Sequence, residues 1–164
     1  MADLDVGLFE QPTTNGDFHA LAEVRQAISC PVMADDIVFD LPDALECIRH
    51  EACDVISLYP GKNGGIGKAW EIAELALQHG IACSIGSNLE LDVATAAMCH
   101  LVVACPNMQV ETYPGDILGP DYHEARVATN PISFNGPVIE TPTGAGLGVD
   151  VDWDAVARMA PGSG

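Results

Sequence analysis

Apolar runs that each close on a polar residue recur along this chain at an almost constant interval. VGLFE ends at Glu10, PVMAD at Asp35, VISLY at Tyr59, IACSIG near Ile85 and MQVE at Glu111, giving spacings of 25, 24, 26 and 26 residues. One strand, one crossover helix and two short loops occupy about 25 to 35 residues, so this is the pitch of consecutive parallel β/α units. Five units at that pitch predict a (β/α)8 barrel or a doubly wound sheet. In a barrel, polar groups from the carboxyl ends of several strands meet at one mouth, and Glu10, Asp35, Tyr59 or Lys62, and Glu90 all lie at or just past such ends. A dinucleotide-binding sheet would instead show a Gly-x-Gly-x-x-Gly turn after its first strand, and none follows Glu10. The α/β pattern therefore favours a barrel.

The corner at Val55 to Ile66, VISLYPGKNGGI, is the richest of the five. Val55 to Leu58 reads as a buried strand, Pro60 and Gly61 break it, and Gly64-Gly65 opens a helical run from Ile66 to about His79. Tyr59 can donate to or accept from a substrate, or pack over the barrel mouth. Lys62 can serve as a base, as a counter-ion for a carboxylate, or as a structural lysine bonding loop carbonyls. The residues alone leave these alternatives open.

Elsewhere the punctuation is regular. Asp17 caps a helix with Leu21, Val24 and Ile28 facing inward, and Asp40-Leu41-Pro42 opens one running to about His50. The third helix carries Ile66, Trp70, Ala73 and Leu77 at helical spacing, with Trp70 read as core, and Gly80 stops it. An alanine-rich helix covers Leu91 to Ala104, and His100 within it reads as a packed histidine because no second histidine lies four residues on. After Glu111 the period is lost. YPGDILG and the residues to Pro137 read as a long loop, Pro137–Glu140 and Gly148–Val151 as short strands, and Asp152 as the cap of a last helix before a frayed Pro-Gly-Ser-Gly tail.

Charge narrows the partners. With 24 acidic against 6 basic residues, the net charge of −18 repels phosphate backbones and anionic membranes, so nucleic acid and membrane surfaces are not expected partners. No run of 18 apolar residues and no amino-terminal signal is present, which reads as soluble and cytoplasmic. The six cysteines lack a Cys-x-x-Cys pair and are read as buried thiols rather than disulfides or zinc ligands. An anionic substrate needs a local cation to offset this field. Glu10 and Asp35, at the ends of neighbouring strands, suit Mg²⁺, which takes oxygen ligands and keeps some waters; acid–base work or simple solvation are the other roles open to them.

FEQP, PVMADD, Lys62-Asn63-Gly64-Gly65-Ile66, GSNLE and the closing GLGVDVD, in this order, resemble the catalytic barrel of the enolase superfamily, specifically the mandelate racemase and muconate lactonizing enzyme group. The resemblance runs from about Leu4 to Asp152. It implies a Mg²⁺-assisted enzyme that abstracts the proton α to the carboxylate of a small acid, as a dehydratase, racemase, epimerase or cycloisomerase. It also implies metal ligands at Glu10 and Asp35, an acidic group near the substrate carboxylate at Glu90, and acid–base roles at Tyr59 and Lys62. Tyr59 stands where the group carries a lysine or aspartate base, and the segment Ser84–Ser87 has no histidine where racemases place one.

On the same resemblance the chain matches the later part of a TIM barrel, about strands four to eight, without the amino-terminal capping domain. Residues 1–152 form that part and residues 153–164 a terminal helix and tail. A homo-oligomer is expected, because an open parallel edge pairs readily. The alternative function is a non-catalytic half-barrel that oligomerises or binds.

Overall fold

The computed structural model describes residues 4–160, so the frayed tail expected over 161–164 lies outside the described residues. Four short strands, β1 (Phe9–Glu10), β2 (Val32–Ala34), β3 (Val55–Leu58) and β4 (Ala82–Ile85), form one parallel sheet in sequential order. Between them run α1 (Phe18–Ala27), α2 (Leu41–Arg49), a single turn α3 (Pro60–Asn63) and α4 (Ile66–Gln78), and α5 (Asp92–Ala104) follows β4.

The register sorts the strand residues onto two faces. Val32, Ala34, Ile56, Leu58, Cys83 and Ile85 pack with Leu21, Ala44, Cys47, Ile72, Ala76, Met98 and Leu101 of the helices. Met33, Val55 and Ala82 share the other face with Leu8 and Tyr113. Every crossover helix therefore lies on the same side of the sheet, and no strand order reverses. A doubly wound sheet would show both a reversal and helices on two faces, so this is barrel-type winding.

The helix starts expected at Asp17, Asp40 and Asp152 are all present. Each aspartate accepts a hydrogen bond from the backbone N–H three residues on, at 2.9 Å for Ala20, 3.1 Å for Asp43 and 2.9 Å for Ala155 at the start of α6 (Trp153–Met159). This satisfies one of the orphan donors at each terminus. Five cysteines are buried, Cys30 is half-buried, and all six are free thiols.

Three local expectations need correction. The inward face of α4 is Ala69, Ile72, Ala73 and Ala76, while Leu77 is 55% exposed and Ile66 36%. Small residues on that face let the helix lie close to the sheet, and the larger side chains turn outward. MQVE forms no strand: only Met108 bridges Cys83 before the chain turns at 110–112. The antiparallel pair near the carboxyl end is β5 (Phe134–Asn135) with β6 (Val138–Ile139) around Gly136, and Val151 makes only a single bridge to Ala128.

A buried charge fastens this irregular region to the barrel. Asp92, fully buried in the first turn of α5, forms an ion pair with Arg126 and accepts backbone N–H bonds from Ile132 (3.0 Å) and Val127 (3.4 Å), while Arg126 donates to the Ile132 carbonyl (2.9 Å). Burial pushes the Asp92 carboxyl up, but Arg126 and the two backbone donors outweigh it and hold the carboxyl below its ordinary value. The pair thus contributes stability that is present above the unfolded carboxyl pKa of about 3.9 and is lost as pH falls through the lower folded value. Asp92→Ala, which leaves Arg126 with only the longer Asp121 contact (3.8 Å) for a counter-charge, is expected to cost about 3 kcal/mol in urea unfolding at pH 7. That cost should shrink as pH falls below about 4.

Candidate functional site

The mouth is built at the carboxyl ends of β1 to β4. Glu10 ends β1, Asp35 follows β2, Tyr59 follows β3, and the Ser87–Glu90 turn follows β4. Alternation along parallel strands puts Glu10 on the same face as Met33, its register partner, and Ser57 opposite Ser84 one level nearer the mouth. Ser57 and Ser84 thus lie one step above an apolar floor of Met33, Val55 and Ala82, and Glu10 ends β1 level with that floor.

Two neighbouring side chains of α3 join the β3 corner to the loop after β2. The Asn63 amide donates to the carbonyls of Val38 and Phe39 (both 3.2 Å), and its oxygen accepts the Tyr59 N–H (3.0 Å). Lys62 Nζ donates to the Asp35 carbonyl (2.9 Å), to Asp35 Oδ1 (2.7 Å) and to the Ser57 carbonyl (2.9 Å). Gly64 makes the turn into α4 at φ +82°, a left-handed conformation that glycine adopts without a Cβ penalty.

The Lys62 side chain is only 1% exposed, and its ammonium lies 4.7 Å from the centre of the Tyr59 ring. Burial lowers its pKa, and the neighbouring Asp35, Asp36 and Glu10 charges act in the opposite direction. An ammonium has three protons to donate, and here all three are taken. The geometry is that of the structural lysine among the alternatives raised by the sequence, extended to a carboxylate as well as carbonyls.

Tyr59 is also buried, at 1% exposure. Burial, then the charges of Asp35, Asp36 and Glu90, push its phenol far above the ordinary value, against a hydrogen bond with Asn88. The phenol is therefore held neutral and fits a donor better than a resident base. Glu90 closes its own turn, with Oε2 accepting from Ser87 Oγ (2.7 Å) and from the Asn88 N–H (2.9 Å).

Glu10 carries the strongest sign of a cation site. Partial desolvation and the charge of Asp35 raise its pKa, Lys62 works the other way, and Asp36 and Asp116 add to the rise. Among the described residues no hydrogen bond reaches the Glu10 carboxylate or Asp35 Oδ2. Hard oxygen donors that repel one another fit a divalent cation with a partly aqueous shell. Among the described residues no group of three acidic, histidine or cysteine side chains is placed to hold a metal.

The sequence-derived candidates Glu10, Asp35, Tyr59, Lys62 and Glu90 thus come to one end of the sheet. Asp116 was missed, because the pitch pointed to Glu111, whereas the chain turns after Met108 and reaches the mouth five residues beyond Glu111. Its one local signal is Gly115, where an added Cβ would sit 1.8 Å from the Ile85 carbonyl oxygen, so only glycine lets the loop lie on the end of β4. Asp36 is exposed yet acts on Glu10, Tyr59 and Lys62 through its charge. His100 has its Nε2 3.1 Å from the Leu147 carbonyl oxygen, and Trp70 packs at the core edge with Nε1 donating to Glu74 (2.7 Å). A cleft of about 400 Å³ between α5 and the β5–β6 hairpin contains none of the mouth residues.

Comparison with known proteins agrees with this geometry. Residues 1–155 match the family model described as Enolase C-terminal domain-like. Muconate cycloisomerase 1 of Rhodococcus opacus is 37% identical over 151 residues, which are 92% of this chain and 40% of that protein. The crystal structure of 2-chloromuconate cycloisomerase from Rhodococcus opacus 1CP superposes with a TM-score of 0.89 at 29% identity, covering 97% of this chain and 42% of that one. A dipeptide epimerase from Enterococcus faecalis V583, solved with Mg and a dipeptide, gives a TM-score of 0.83 at 32% identity, over 91% of this chain and 42% of that one. The chain spans about 40% of the length of the relatives it matches. On the sequence match and the mouth together, it belongs to the enolase C-terminal domain-like family of the muconate lactonizing enzyme group.

Proposed function

We propose that this chain forms the later strands, about four to eight, of a TIM barrel in a Mg²⁺-assisted enzyme that abstracts the proton α to the carboxylate of a small acid. The cycloisomerase and epimerase relatives support this reading. The observation that carries it is the gathering of Glu10, Asp35, Asp36 and Asp116 at one mouth, where desolvation first and then the charge of Asp35 leave Glu10 harder to ionise than a solvated glutamate.

Glu10 and Asp35 Oδ2 would hold the cation, which when bound supplies Lewis acidity toward the substrate carboxylate. Tyr59, neutral and buried beside the mouth, donates a hydrogen bond or a proton to the substrate from its phenol oxygen. Glu90 keeps a negative charge near that phenol, which resists its ionisation. Lys62 balances part of the acidic field without leaving its three acceptors. The proton-abstracting base belongs to the part of the barrel that this chain does not span. This arrangement favours an epimerase or dehydratase over a simple cycloisomerase, since Tyr59 holds a phenol where the group carries a lysine or aspartate base.

Millimolar Mg²⁺ is expected to raise the melting temperature of the chain, and Glu10→Gln to remove that rise. Wild-type melting that ignores Mg²⁺ would overturn the metal reading. The same substitution has a metal-free signature. The raised Glu10 pKa means that its ionisation costs stability: the favourable contribution is complete below the unfolded value of about 4.3 and is lost as pH rises through the folded one. Glu10→Gln without metal should therefore melt higher than wild type at pH 7, with the gap closing near pH 4. Tyr59→Phe, assayed in a full-length enzyme carrying this chain, should lower kcat by about 10² or more while changing stability by only about 1 kcal/mol.

A further inference from the structure

Lys62 spends its whole donor capacity on two strand ends. One proton goes to the Asp35 side chain, one to the Asp35 carbonyl and one to the Ser57 carbonyl, all between 2.7 and 2.9 Å. The Tyr59 ring covers the ammonium, and Asn63 fastens the same turn to the carbonyls of Val38 and Phe39. Asp35 is thereby held at both its backbone and its side chain, with Oδ1 occupied and Oδ2 accepting nothing from the described residues.

We propose that Lys62 is a positioning residue for cation binding: its three-way hydrogen bonding sets the orientation of the Asp35 carboxylate and presents Oδ2 to a divalent cation. This rests on the metal reading above. A carboxylate at the end of a short strand has free χ1 and χ2 rotation, and immobilising one oxygen removes that freedom before the ion arrives. The inference differs from a charge-balancing role in the sign of what happens when the charge is removed. By Coulomb's law alone, deleting a positive charge 2.7 Å from Asp35 should tighten cation binding. Loss of orientation should weaken it.

The test is Mg²⁺ binding to the 164-residue chain by calorimetry, comparing wild type with Lys62→Met and Lys62→Arg, with metal-free circular dichroism and melting measured for each. Lys62→Met is expected to bind Mg²⁺ about tenfold or more weakly in spite of the lost repulsion. Lys62→Arg keeps the charge but spreads its donors in a plane, so it too is expected to bind more weakly than wild type, and it carries the test alone if the methionine variant does not fold. Equal or tighter binding by a folded Lys62→Met variant, or wild-type affinity in Lys62→Arg, would overturn the positioning role while leaving the metal reading in place. Absence of Mg²⁺ binding by wild type would overturn the metal reading, and this inference with it.

Discussion

A buried ammonium with three acceptors is the contact on which the mouth depends. Taking a lysine out of water costs several kcal/mol unless its protons are all engaged, and here the acceptors come from two different strands. The ends of β2 and β3 are thus tied across the mouth by a charge that has nowhere else to go. Tyr59 closes over it, Asn63 secures the same turn from the other side, and the left-handed Gly64 starts α4 at the angle that returns it to the outer face.

The electrostatic arrangement follows from that tie. A chain with a net charge of −18 has little cationic charge to spend, and one of its two lysines is placed where no solvent reaches. At the mouth, the charges of Asp35, Asp36 and Asp116 all act on the Glu10 carboxylate, and Lys62 acts against them. The Asp92–Arg126 pair shows the opposite solution: a carboxylate more deeply buried, yet satisfied on every side and held below its ordinary pKa. One acid is arranged for stability, while the acids at the mouth are left in tension. Imbalance of this kind is common where proteins bind ions.

Much of the first half was legible because periodicity and capping act locally. Strand ends at Glu10, Asp35 and Tyr59 could be counted, and Asp17 and Asp40 cap where short-range chemistry says they should. The failures have a common physical origin. MQVE has the composition of a strand, but its pairing with β4 stops at a single bridge between Met108 and Cys83 before the chain turns. The pitch therefore overshot, and Asp116 could be found only once Gly115 was seen lying on the Ile85 carbonyl. In α4 the larger apolar residues suggested the inward face, whereas close helix–sheet packing selected the alanines. Lys62 was identified as important, but its partners 27 residues upstream in Asp35 and five upstream in Ser57 were beyond any local rule.

β1 contains only Phe9 and Glu10 and, among the described residues, has a strand partner on one side alone. Glu10 therefore sits on the least supported strand of the sheet, and any strand that pairs with that edge would stiffen its backbone as well.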